Sequence, residues 1–228
     1  MPTKNILSLI LYAALCGCSA GPSALRRGGD VYPGLAALKA ANVEGRDYST
    51  EAYDRGARAT VFAVHGGDIE FGTARLARLT ADKDLNLYIF NGWLGADSAR
   101  LHITSTRFDD PAAVRLATAS VLGISFHAQA DRSSYVCVGG KNAAAARLVA
   151  IKLEGAGFAA EMPCPRLPGT SDKNITNLPS AGGVQLELTL RLLRRLERDP
   201  AESARFVRAL RSAIFESIAK TTQENIPR

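Results

Sequence analysis

Several things are scarce in this sequence, and each shortage removes a class of protein. The longest apolar run, Ile6 to Leu15, covers ten residues. That is half of the roughly 20 needed to cross a bilayer as a helix, so a polytopic membrane protein is excluded. The four cysteines include no Cys-x-x-Cys pair, which removes the common cysteine-based metal sites. No internal repeat recurs along the chain, and no helix-turn-helix, zinc finger or aromatic-interleaved basic stretch supports nucleic-acid binding. Histidine is also rare, with three in 228 residues, so the position of each one carries information.

What is present fits one globular α/β domain. Apolar residues make up 46% and charged residues 22% of a chain long enough to bury a sizeable core. The net charge of +6 suits an acidic partner without choosing one. Much of the excess lies in Arg191, Arg194, Arg195 and Arg198, interleaved with Leu192, Leu193 and Leu196 at helical spacing, the pattern of a solvated helix face. At the other end, Lys4 precedes the short apolar run, which has the shape of an export signal. Leu15-Cys16-Gly17-Cys18 follows and resembles the bacterial lipobox. That resemblance implies a lipoprotein signal peptide over residues 1–17, lipidation of Cys18, and an outer-membrane anchor facing the periplasm, since Ser19 is not a retention aspartate. An ordinary secretory signal cleaved near Ala20 is the other reading. Residues 18–32 read as a flexible tether and 33–228 as the catalytic body. Export leaves Cys137 and Cys164 as a disulfide or as two separate thiols.

Strands are expected at Ala59–Val64, Leu85–Asn91, Leu101–Ser105, Val121–His127, Tyr135–Val138, Phe158–Met162 and Gly183–Leu188. Helices are expected at Leu35–Ala41, Gly72–Ala81, from Pro111 behind an Asp110 cap, at Lys141–Gly155, and through the C-terminal region. This alternation predicts a mixed, mostly parallel sheet flanked by helices. Residues 163–182 are rich in proline, glycine and asparagine and form a long irregular segment suited to an active-site loop.

Two histidines end expected strands, His65 after Val61–Val64 and His127 after Ile124–Phe126, where ligands gather in open α/β sheets. His102, flanked by Leu101 and Ile103, reads as structural or as a support for the others. Gly66 and Gly67 permit a sharp turn that brings a carboxylate back toward His65. Glu70 is the first candidate and Asp68 a rival. In Gly183-Val184-Gln185-Leu186-Glu187-Leu188, Gln185 and Glu187 share the face opposite the aliphatic residues. On an edge strand Glu187 would be solvated; on a central strand it would need a cation or a proton and become a general-base candidate. Together these groups fit a catalytic zinc site of two imidazoles and one carboxylate, with a separate glutamate to move protons.

The segments His65-Gly66-Gly67-Asp68-Ile69-Glu70-Phe71-Gly72-Thr73, Ile103-Thr104-Ser105-Thr106, Phe126-His127 and Gly183-Val184-Gln185-Leu186-Glu187-Leu188 resemble the poly-γ-glutamate hydrolase family over about residues 46 to 200. The resemblance implies a zinc-carboxypeptidase-like fold, Zn2+ held by His65, Glu70 and His127, Glu187 as base, and cleavage of γ-glutamyl amide bonds in a glutamyl polymer or peptide. Two departures stand out. Arg107 replaces an expected histidine before Phe108, and the loop 174–178 lacks an expected cysteine and nearby arginine. Arg100, Arg107 and Arg166 are the candidates for gripping substrate carboxylates. A periplasmic cell-wall peptide hydrolase and a non-catalytic lipoprotein that binds zinc and a glutamyl polymer are the alternatives.

Overall fold

Strands form where the sequence places apolar side chains on both sides of an extended backbone. The computed structural model describes residues 29–224. Within it, Tyr48–Tyr53 (β1), Ala59–Gly67 (β2), Asn86–Gly92 (β3), Leu122–Gln129 (β4), Val136–Gly139 (β5), Ala160–Glu161 (β6) and Gly183–Thr189 (β7) make one seven-stranded sheet, ordered β1-β3-β2-β4-β7-β5-β6. The inner strands β2, β3, β4 and β7 run parallel. Antiparallel β1 closes one side on β3, and β5 pairs antiparallel with β7. Because both faces are covered, β3, β4 and β7 are buried along their whole length.

Side-chain alternation divides the core in two. Val61, Ile124, Phe126 and Val184 face four helices: Thr73–Ala81 (α2), Ala143–Gly155 (α4), Leu190–Arg198 (α5) and Pro200–Glu224 (α6). Phe62, Tyr88 and Phe90 face Leu35–Ala41 (α1) and Pro111–Thr118 (α3) on the other side. Asp110 caps α3 by accepting from the Ala112 and Ala113 N–H groups, as the sequence suggested. On α5, Leu192, Leu193 and Leu196 are buried while Arg191, Arg194 and Arg198 are exposed, so the arginine run is a solvated face.

The expected strand Leu101–Ser105 is absent. Two 3-10 turns, Gly95–Leu101 and Ser105–Arg107, flank a short extended piece. Leu101 and Ile103 are buried with period two, but the Ile103 carbonyl accepts from His65 rather than from a neighbouring strand. Conversely, β1 was not anticipated, because Tyr48-Ser49-Thr50-Glu51-Ala52-Tyr53 lacks an apolar run. The leader 1–17 and Cys18 lie outside the described residues. The end of the expected tether is docked on the body: Asp30 accepts from the Thr104 N–H at 2.8 Å, and the Tyr32 hydroxyl accepts from Arg100. Cys137 and Cys164 are disulfide-bonded, with Cα atoms 5.0 Å apart, which ties the segment after Pro163 to β5.

Candidate metal centre and active site

The turn after β2 builds the centre. Gly67 has φ +65, and a Cβ there would lie 2.3 Å from the Gly92 carbonyl oxygen, so glycine both permits the turn and makes room for β3. The Glu70 N–H donates to the His65 carbonyl at 2.9 Å, and Thr73 Oγ1 donates to the Glu70 carbonyl at 2.8 Å. This closed turn returns the Glu70 carboxylate to His65. Asp68 instead is exposed and accepts from the Gly95 N–H, which decides between the two acids. On the next strands, the β4–β7 register pairs His127 with Glu187. β7 lies between β4 and β5, so Glu187 sits on an inner strand and is only 5% exposed.

Three ligand atoms converge. His65 Nδ1 is 2.9 Å from Glu70 Oε1 and 3.1 Å from His127 Nδ1, and His127 Nδ1 is 3.4 Å from Glu70 Oε2. His65 Nε2 meets the Ile103 carbonyl at 2.8 Å. A carbonyl can only accept, so this contact puts the proton on Nε2 and leaves the Nδ1 lone pair facing the centre. The backbone N–H of Ala128 donates to Glu70 Oε2 at 3.0 Å and fixes the carboxylate. One ligand atom from each of the three side chains lies within 4.8 Å of the others, an arrangement able to hold a metal ion.

The protonation states follow from burial and charge. Burial opposes ionisation of Glu70, but His65 and His127 outweigh it and hold its carboxyl well below the usual carboxylate range. Burial would lower His127, yet the Glu70 charge prevails and raises it to about 8. Glu187 is pushed up to about 7 by burial, with His127 partly offsetting the effect. Glu70 thus stays ionised as a ligand, and Glu187, titrating near neutrality, is the carboxyl able to exchange a proton.

A cavity of about 600 Å³ opens over this centre, lined among others by His102, Ser105, Gln129, Arg166, Gln185 and Glu187. Of the three arginines considered from sequence, Arg166 lines it; its Nη2 donates to Gln129 Oε1 at 3.1 Å and Asp131 Oδ2 at 3.2 Å. Arg100 donates to the Tyr32 hydroxyl and Arg107 pairs with Asp30, so both brace the N-terminal segment. His102 stacks on His65 with ring centroids 4.0 Å apart, and its Nδ1 is 2.7 Å from Asp30 Oδ1. It therefore supports the ligand and also forms cavity wall. Gln185 and Asn174 escaped sequence reasoning: Gln185 Nε2 donates to Glu187 Oε1 at 2.9 Å, and Asn174 Nδ2 donates to Gln185 Oε1 at 2.7 Å. The period-two pattern of β7 already put Gln185 on the Glu187 face, but no local signal pointed to Asn174.

Known proteins share this arrangement of chain. A family model described as poly-gamma-glutamate hydrolase matches residues 32–209. YoqZ, an SPbeta prophage-derived UPF0714 protein of Bacillus subtilis strain 168, is 37% identical over 163 residues, covering 70% of this chain and 59% of YoqZ. YndL of the same organism is 36% identical over 164 residues, with 70% and 64% covered. The chain thus spans about three fifths of the length of these curated relatives. A solved bacteriophage poly-gamma-glutamate hydrolase superposes with a TM-score of 0.77 at 32% identity, covering 83% of this chain and 99% of that one. The zinc-free structure of YndL gives 0.71 at 29% identity, covering 84% and 98%. With a match across most of its described residues and a buried two-histidine, one-glutamate cluster, the chain belongs to the poly-gamma-glutamate hydrolase family.

Proposed function

We propose that this protein is a zinc-dependent hydrolase of amide bonds, acting on γ-glutamyl linkages in a glutamyl polymer or peptide. The observation that carries this reading is the convergence of His65 Nδ1, His127 Nδ1 and the Glu70 carboxylate beneath a cavity that Glu187 also lines. Two donors about 2.0–2.1 Å from a tetrahedral zinc lie about 3.3 Å apart. His65 Nδ1 lies 2.9 Å from Glu70 Oε1 and 3.1 Å from His127 Nδ1, separations close to that edge. Zinc held there would supply Lewis-acid polarisation of the substrate carbonyl and acidify an attacking water.

The remaining work belongs to the chain. Glu187, raised to about 7 by burial, accepts a proton from the attacking water and passes it to the leaving amide nitrogen. Its carbonyl is held by Gln129 Nε2 at 2.9 Å, and Gln129 is in turn bonded to Arg166. Arg166 reaches a substrate carboxylate beside the scissile bond. The expected likeness to zinc carboxypeptidases belongs to this proposal, as does export as an outer-membrane lipoprotein anchored through Cys18. The latter rests on Leu15-Cys16-Gly17-Cys18 and is tested by fatty-acid labelling, which Cys18→Ser should abolish; labelling that survives the substitution would remove the anchor.

A second reading, hydrolysis of γ-linked cell-wall peptides, is favoured by one observation. Among the described residues lining the cavity, Arg166 is the one permanent cation, and it already meets Asp131. That is one carboxylate contact, not a basic track for a polyanion. The test is cleavage of poly-γ-glutamate and of purified wall peptides by wild type and Glu187→Gln. The variant should keep its metal and lose about 10²–10⁴-fold in kcat. Full activity in the variant would remove Glu187 from the mechanism, and the better-cleaved substrate assigns the class.

A further inference from the structure

We infer that Asn174 and Gln185 form an orienting relay that commits Glu187 Oε1 to a fixed hydrogen bond and leaves Oε2 as the atom that takes up the proton. The inference rests on the reading of Glu187 as base. A backbone group sets the polarity of the relay. The backbone N–H of Thr176 can only donate, and it meets Asn174 Oδ1 at 3.0 Å. Asn174 must then present its NH2, which donates to Gln185 Oε1 at 2.7 Å. Gln185 in turn must present its own NH2 to Glu187 Oε1, 2.9 Å away. A second, longer contact runs from Gln185 Nε2 to the Leu167 carbonyl at 3.5 Å. Each amide orientation is thus fixed by the one before it, starting from the backbone.

Burial makes the relay strict. Asn174, Gln185 and Glu187 are 3%, 6% and 5% exposed, so an inverted amide would set two acceptors against each other with little water to intervene. Room for the Gln185 amide is kept by Gly169, at φ +61, where a Cβ would lie 2.6 Å from Gln185 Oε1. Glu187 Oε2 has no hydrogen-bond partner among the described residues, while Glu187 lines the cavity. Asn174 and Gln185 are therefore positioning residues that act through Glu187.

A double-mutant cycle on the full chain tests it, with a γ-glutamyl peptide as substrate. Asn174→Asp still accepts from the Thr176 N–H but has no proton to give Gln185, whose amide must then invert against Glu187. Gln185→Met keeps the volume and removes the donor. Each should lower kcat about tenfold or more with KM and metal content unchanged. In the Gln185→Met background, Asn174→Asp should cost nothing further, because its effect passes through Gln185. Asn174→Ala enters the same cycle if the aspartate variant does not fold. Additive losses, or an unchanged kcat in Gln185→Met, would overturn the relay while an inactive Glu187→Gln leaves the hydrolase reading standing. A fully active Glu187→Gln would remove Glu187 as base, and the relay with it, while the metal-centred hydrolase reading remains.

Discussion

His65 and His127 both turn Nδ1 toward the shared centre, and for His65 this follows from what its other ring nitrogen meets. Nε2 is bonded to the Ile103 carbonyl, so the tautomer and ring plane are set before any metal arrives. His102 reinforces the plane by stacking on His65. The third ligand is preorganised by the closed turn from His65 to Thr73 and by the Ala128 N–H. A pH dependence follows. Without metal, Glu70 holds the proton of His127 up to about 8. Metal must displace that proton, so zinc affinity should fall as pH drops below about 8, by ~10-fold per unit. Competition with a chelator of known proton affinity at about pH 6, 7 and 8 reads this slope. A flat affinity across that range would mean that His127 does not exchange a proton for metal.

At the scale of elements, the site depends on how closely the 3-10 turn Ile175–Asn177 sits on the sheet. Gly123 of β4 and Gly183 of β7 are register partners, and a Cβ on either would fall 2.2 or 2.0 Å from the Thr176 carbonyl oxygen. Two adjacent strands thus carry glycine beneath the turn that begins the Asn174 relay. Gly183→Ala should destabilise the fold by about 1–3 kcal/mol, because backbone on both sides must move. Urea unfolding measures the loss; an unchanged midpoint would show that the turn is not packed this tightly. Much of this level was legible in sequence. The inner strands appear as apolar runs because the sheet is covered on both faces, and α3 declares itself through Asp110 and Pro111. β1 was not legible: as an edge strand its residues are only partly covered, and its polar sequence carries no run. Leu101–Ser105 misled because period-two burial also arises in an irregular segment pressed against a core. At the site, histidines ending strands revealed His65 and His127, and the glycine pair suggested the returning acid. Glu70 was already the first candidate and the turn places it at the centre, whereas the position of Arg166 on the cavity wall, with Arg100 and Arg107 away from it, depends on how a long loop folds back in space.

Across the whole molecule, the sheet order brings together residues far apart in sequence. His65, His127 and Glu187 lie on neighbouring strands β2, β4 and β7, whose parallel direction puts their C-terminal ends at the same edge. The Cys137–Cys164 disulfide then draws the long loop over that edge, and Arg166, two residues past Cys164, becomes cavity wall. The net charge of +6 contributes little to this local arrangement, since the α5 arginines Arg191, Arg194 and Arg198 point to solvent. The most direct test of the account is a zinc titration. Protein stripped with a chelator is supplied with zinc in steps while γ-glutamyl peptide cleavage is followed. Activity should rise in proportion to zinc and stop at one equivalent per chain, and His65→Ala or His127→Ala should show no such rise. Cleavage that is complete in the stripped protein, or that persists undiminished in either histidine variant, would contradict a catalytic metal at this centre.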